Sequence, residues 1–109
     1  MPKWDSLQGA LDLMVLKILS RKTHLHGYAI MTAIEEISEG VLRVEEGSLY
    51  PALRRMEESG WLGAEWIVRD GGRRARIYEI TTAGRKQLAA EESHWQAGTS
   101  AVNRVLRMV

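Results

Sequence analysis

The stretch Glu45-Glu46-Gly47-Ser48-Leu49-Tyr50-Pro51-Ala52-Leu53-Arg54-Arg55-Met56-Glu57 constrains the fold most, because it combines a helical pattern with a proline. At about 100° per residue Leu49, Leu53 and Met56 share one stripe, Pro51, Arg54 and Glu58 lie opposite, and Tyr50 and Arg55 flank them. A helix capped at Ser48 puts Pro51 in the first turn, where its missing N–H would have had no intrahelical acceptor. Ser59-Gly60 closes the helix. One face is apolar enough for a core, and the other carries hydroxyl, phenol and guanidinium groups.

Directly afterwards, Trp61 to Ile80 alternates as a half-buried hairpin, with Tyr78 and Ile80 on one face, Ile77 on the other, and Asp70-Gly71-Gly72 as turn residues. Around that turn Arg69, Arg73, Arg74 and Arg76 face a single acid, Asp70, whereas Glu35, Glu36, Glu39, Glu45 and Glu46 gather upstream. The net charge of +1 says little about a partner; the distribution says more, because it concentrates positive charge on one protruding element. A helix followed by a basic hairpin is the layout of a winged DNA-reading domain, and duplex DNA is the expected partner.

The rest of the chain fits that layout. Residues 6 to 20 form an expected first helix with Leu7, Leu11, Met14 and Ile18 at helical spacing, and Leu13, Val15, Leu16 and Leu19 extend its apolar surface over two faces. Thr23 to Gly27 interrupts the pattern. A second helix then runs to about Ser38, with Ile30, Ile34 and Ile37 inward, Glu35 and Glu36 outward, and Gly40 as its stop. Val41 to Val44 read as a short strand. Thr81 resembles an N-cap for a final helix from about residue 82, where Leu88, Trp95, Val102 and Val109 recur at sevenfold spacing. Such a helix is roughly 40 Å long, more than a small domain covers alone, so a second subunit is expected on it. The expected fold class is mainly α with a small β-hairpin. A winged helix-turn-helix over 1–80 and a dimerisation helix over 81–109 together make one structural domain. The expected dimer contacts are Leu13, Leu16, Leu88, Trp95, Val102 and Leu106.

Several function classes lose support at this level. Hydrophobic residues make up 45% of the chain, enough for a core, and the absence of cysteine removes disulfides and thiolate metal sites and suits a reducing compartment. No apolar run approaches the roughly 20 residues of a membrane span, and the start does not read as a signal peptide, so a cytoplasmic protein with no membrane partner is expected. His24 and His26 without a third ligand make a poor metal site, and capping or packing of their loop is the expected role. His94 beside Glu91 and Glu92 reads as a solvated or dimer-edge residue. Ser48 lacks a nucleophile elbow and a partner histidine, while Gly71-Gly72 lacks the lysine and hydroxyl residue of a phosphate loop. No enzyme, cofactor or metal is expected.

Four motifs go beyond fold type: Leu7-Gln8-Gly9-Ala10-Leu11-Asp12-Leu13, Leu25-His26-Gly27-Tyr28, Gly47-Ser48-Leu49-Tyr50-Pro51-Ala52-Leu53 and Tyr78-Glu79-Ile80-Thr81-Thr82-Ala83-Gly84. In this order they closely resemble the PadR family of bacterial transcriptional regulators, over essentially the whole chain. The resemblance implies a homodimer that binds an inverted-repeat operator, usually as a repressor of detoxification, efflux or stress genes. It implies a recognition helix with Ser48, Tyr50 and Pro51 at its DNA-facing start, Arg54 and Arg55 behind them, and a basic wing of Gly72, Arg73, Arg74 and Arg76. A single helix after the wing resembles the compact subgroup, some members of which bind aromatic drugs between interface tryptophans. On that basis Trp95 is a candidate for contact with a small aromatic effector, although its heptad position is equally explained by dimer packing. The alternatives are a ligand-responsive multidrug sensor of the same fold and a winged-helix module that contacts another protein.

Overall fold

The computed structural model describes residues 6–108, with side chains from residue 9 onward. In chain order it contains α1 (Ser6–Arg21), β1 (Leu25–His26), α2 (Gly27–Ile37), α3 (Glu46–Glu58), β2 (Leu62–Val68), β3 (Arg74–Ile80) and α4 (Thr82–Leu106). The three strands form one antiparallel sheet in the order β1-β3-β2. This is the winged-helix arrangement expected from the sequence, with the last helix the longest. The side chain of Leu7 and the last sevenfold position, Val109, lie outside what the structure describes.

The core forms where the apolar stripes of three helices meet the base of the sheet. Val15, Leu16 and Leu19 from α1, Ile30 and Ile34 from α2, and Leu49, Leu53 and Met56 from α3 pack with Leu62, Tyr78 and Leu88. A bidentate ion pair crosses this assembly: Arg55 Nη1 and Nη2 donate to the two carboxylate oxygens of buried Asp12 at 2.8 and 2.7 Å. The pair ties α3 to α1 and holds the Arg55 pKa above its usual value, chiefly through the hydrogen bond.

Several sequence expectations need correction. α3 starts at Glu46 rather than after Ser48, and its N-cap, Glu45, makes no side-chain capping bond. Both Ser48 N–H and Leu49 N–H donate to the Glu45 carbonyl at 3.0 Å, so the helix is established before the serine. Pro51 therefore lies inside the helix, and the carbonyl left without an i+4 donor belongs to Gly47, whose exposure allows water to satisfy it. Residues 41–45 form no strand; the Leu42 N–H donates instead to Ser38 Oγ at 3.0 Å. The third strand is β1, whose Leu25 and His26 pair with Tyr78 and Ile77. Ile37 is 66% exposed, since it closes α2 beyond the packed stripe. Leu16 and Leu88 are buried within this one chain, in the core itself, and so are not surface contacts for a partner.

α4 is fastened to the wing at its first turn. Thr81 Oγ1 accepts from Gly84 N–H at 3.0 Å and donates to the Gly60 carbonyl at 2.6 Å, while Thr81 N–H donates to the Trp61 carbonyl at 3.0 Å. Gly84 is buried against that carbonyl, and a Cβ there would also lie 2.7 Å from Ile80 Cγ1. Farther along, Lys17 Nζ reaches Glu92 at 3.4 Å and links α1 to α4.

Candidate nucleic-acid interface

The exposed side of α3 carries Ser48, Tyr50, Pro51 and Arg54. Tyr50 is placed by the helix before it: a Cβ on Gly27 would fall 2.7 Å from Tyr50 Cε1 and 2.8 Å from its hydroxyl oxygen, so the phenol lies directly over a residue with no side chain. Arg54 is exposed and makes only a 3.3 Å helix-surface pair with Glu58, an arrangement worth a few tenths of a kcal/mol that a phosphate or base can displace. Arg55, expected among the DNA contacts, is paired with Asp12 and contributes to the packing of α3.

The wing tip is built on two glycines in the left-handed region, Gly71 at φ +81° and Gly72 at φ +79°, a conformation that side chains disfavour. Arg69 N–H donates to the Arg73 carbonyl at 2.6 Å and closes the turn. Strand register then assigns the faces. Leu62 opposes Ile80, Ala64 opposes Tyr78, Trp66 opposes Arg76 and Val68 opposes Arg74, so these residues share the side that faces α3. At its base this face is core. Toward its tip it becomes aromatic and cationic, with Arg74 4.7 Å and Arg76 5.3 Å from the centroid of the Trp66 ring.

Arg76 is also bound from below, its Nη2 donating to both oxygens of Glu57 on α3 at 2.7 and 2.8 Å. That hydrogen bond is the main cause of its raised pKa. Burial pushes the neighbouring Tyr78 phenol up, with Arg76 partly offsetting the shift, so the tyrosine is a neutral wall of the cleft at ordinary pH. Arg69, Arg73 and Arg74 are exposed and have no ion-pair partner among the described residues, in contrast to Arg43, Arg54, Arg55 and Arg76. Between α2, α3 and the wing runs a groove of about 390 Å³ with Tyr28, Tyr50 and Trp66 along it and the wing arginines above.

Of the residues singled out in the sequence, Tyr50, Arg73, Arg74 and Arg76 thus line one concave surface, with Gly72 in the turn next to Arg73. Trp66, Gly27 and Tyr28 line it too, and Glu57 supports it through Arg76, none of which the sequence signals. Counting outward from the 70–72 turn pairs Trp66 with Arg76, but nothing local to Glu57 or Gly27 signals their contacts. His26 caps α2, its Nδ1 accepting from Ala29 N–H at 3.1 Å, as a local capping role requires. His24 meets Glu79 at 3.2 Å. Among the dimer candidates Leu13 and Trp95 are half-buried, and Val102 and Leu106 are exposed. No described helix is long and apolar enough to cross a membrane.

The transcriptional regulator PadR-like family model matches residues 15–90. The chain belongs to this family. Its structural neighbours agree: the transcriptional regulator TA0346 of Thermoplasma acidophilum is 29% identical with a TM-score of 0.82, covering 94% of this chain and 96% of its own. A PadR-like transcriptional regulator of Bacillus cereus is 28% identical with a TM-score of 0.76, covering 94% and 97%. Transcriptional regulator Rv3488 of Mycobacterium tuberculosis is 44% identical over 57 residues, 52% of each chain. The protein is a PadR-family transcriptional regulator, not an enzyme, and DNA binding is the activity that membership implies.

Proposed function

We propose that this PadR-family protein is a homodimeric, sequence-specific repressor that seats α3 in a major groove and the wing arginines on the adjoining backbone or minor groove of an inverted-repeat operator. The observation that carries the reading is the row of unneutralised arginines, Arg69, Arg73 and Arg74, beside the polar face of α3. Ser48, Tyr50 and the start of α3 offer hydroxyl and backbone N–H donors to phosphate, and Arg54 has the donor fork that matches guanine O6 and N7. Pro51 keeps that surface low and rigid, and Gly72 lets the wing backbone turn tightly enough to approach a strand. A second copy of the chain is supported by the far end of α4, where Val102, Val105 and Leu106 are 42%, 65% and 75% exposed. A twofold dimer presents two α3 helices, whose half-sites lie about 34–36 Å apart or a multiple of that.

A footprint of the purified protein over the DNA upstream of its own gene tests the reading, because it returns half-site sequence, spacing and stoichiometry together. Arg73→Ala and Arg74→Ala are expected to weaken binding to operator and random duplex alike and to make the salt slope shallower by about one unit each. Unchanged affinity and slope in both variants would reduce the hairpin to a solvated edge. Half a turn of DNA inserted between the half-sites is expected to abolish tight binding by rotating one of them away.

A further inference from the structure

We propose that Trp66 is a positioning residue of the wing, whose indole face orders Arg74 for contact with phosphate without neutralising it. The inference rests on the DNA-binding reading above. Arg74 and Arg76 are two residues apart on β3 and lean over the same ring, which arises from the cross-strand partner of Arg76. Their supports differ. Arg76 is held by the ring and by the two hydrogen bonds it donates to Glu57, whose charge cancels its own. For Arg74, 4.7 Å from the ring centroid and with no acid in reach among the described residues, the ring is the support.

The chemistry of that support matters. A carboxylate would hold a guanidinium equally well, but it would occupy the N–H donors and cancel the positive charge that releases counterions from DNA. A π-face attracts the cation through its quadrupole and leaves the in-plane N–H groups pointing outward. Trp66 is itself 55% exposed, an unusual position for a large apolar side chain near a wing tip unless its surface serves its neighbours. Glu57, Arg76, Trp66 and Arg74 form a continuous run from the recognition helix to the tip, so the ring also fixes where Arg74 lies relative to α3.

The test measures the guanidinium first and DNA second. In the uncomplexed protein, nitrogen relaxation of Arg74 Nε–Hε is expected to show a well-ordered group that loosens in Trp66→Leu and is largely retained in Trp66→Phe, while Arg76 stays ordered by Glu57. In gel shift, Trp66→Leu is expected to lose roughly two- to fivefold in duplex affinity, the size of one exposed cation–π contact, with Trp66→Phe recovering most of it. In an Arg74→Ala background, Trp66→Leu is expected to have no further effect. Unchanged Arg74 order in Trp66→Leu overturns the proposal, as does a full Trp66→Leu penalty in the Arg74→Ala background, which would mean that the indole touches DNA itself. A wild-type protein that shifts no duplex, with Arg74 loosening as expected, would defeat the DNA reading and leave the ordering of Arg74 standing.

Discussion

Adding one methyl group at Gly84 is expected to damage this fold more than its size suggests. Gly84 is buried in the first turn of α4, and a Cβ built there runs into the Trp61 carbonyl and comes within 3.1 Å of its carbon. That carbonyl cannot simply turn aside, because it accepts the Thr81 N–H at 3.0 Å. The clash must be relieved by moving α4 away from the wing base, which also stretches the Thr81 cap. Overpacking of this kind costs about 1–3 kcal/mol, against which alanine recovers at most about 1 kcal/mol of helix propensity, less in a first turn. The net expectation for Gly84→Ala is a loss of about 2 kcal/mol, or a melting temperature lower by about 8–16 °C for a domain near this size. Gly47→Ala is the matched control: nothing lies within 4 Å of its Cβ position, and the same substitution is expected to stabilise by about 0.5 kcal/mol. Urea unfolding followed by circular dichroism, at one fixed protein concentration because the proposed dimer would make stability depend on it, measures both. A Gly84→Ala variant within 0.5 kcal/mol of wild type would refute the packing argument.

Asp12→Ala removes the bidentate ion pair with Arg55, and with that side chain 37% exposed the expected cost is about 1–3 kcal/mol in the same unfolding assay; a loss near zero would mean that the pair is ornamental. Glu57→Gln unmasks the charge of Arg76, so random duplex is expected to bind more tightly with a salt slope steeper by about one unit. An unaltered slope in a titration from low to moderate salt would show that Arg76 never meets phosphate. Leu106→Glu is expected to weaken the dimer, measured as mass by light scattering across a dilution series, and a wild-type profile would remove the end of α4 from the interface.

Much of this architecture is legible in the sequence because it follows local periodicity. The Leu49, Leu53 and Met56 stripe, the 70–72 turn and the Thr81 cap are each decided within a few residues, and each lies where the pattern places it. What escaped is long-range. β1 is two residues long, too short for alternation to register, and exists only because β3 passes alongside. The Arg55 ion pair has no local signal, because Asp12 stands 43 positions away in α1. The start of α3 was misplaced because a serine before a helical run is a strong capping signal, whereas the backbone here turns helical at Glu46 without one. A tryptophan in a strand reads first as core, and only the cross-strand register shows Trp66 beside two arginines.

β3 ends at Ile80 and α4 begins at Thr82, so a single residue joins the wing to the long helix, and that residue is bonded on both sides. α4 does not pivot there, because Leu88 enters the core and Glu92 meets Lys17 of α1, so the wing and the first half of α4 move as one body. A helix of this length is about 37 Å long, so a rotation of about 5° about its far end moves the wing base by about 3 Å. That is close to the rise of one base pair, about 3.4 Å. A dimer assembled through α4 would then carry its operator spacing in the pitch of these arms, and whatever shifts them by a few degrees would change which spacing the two wings span.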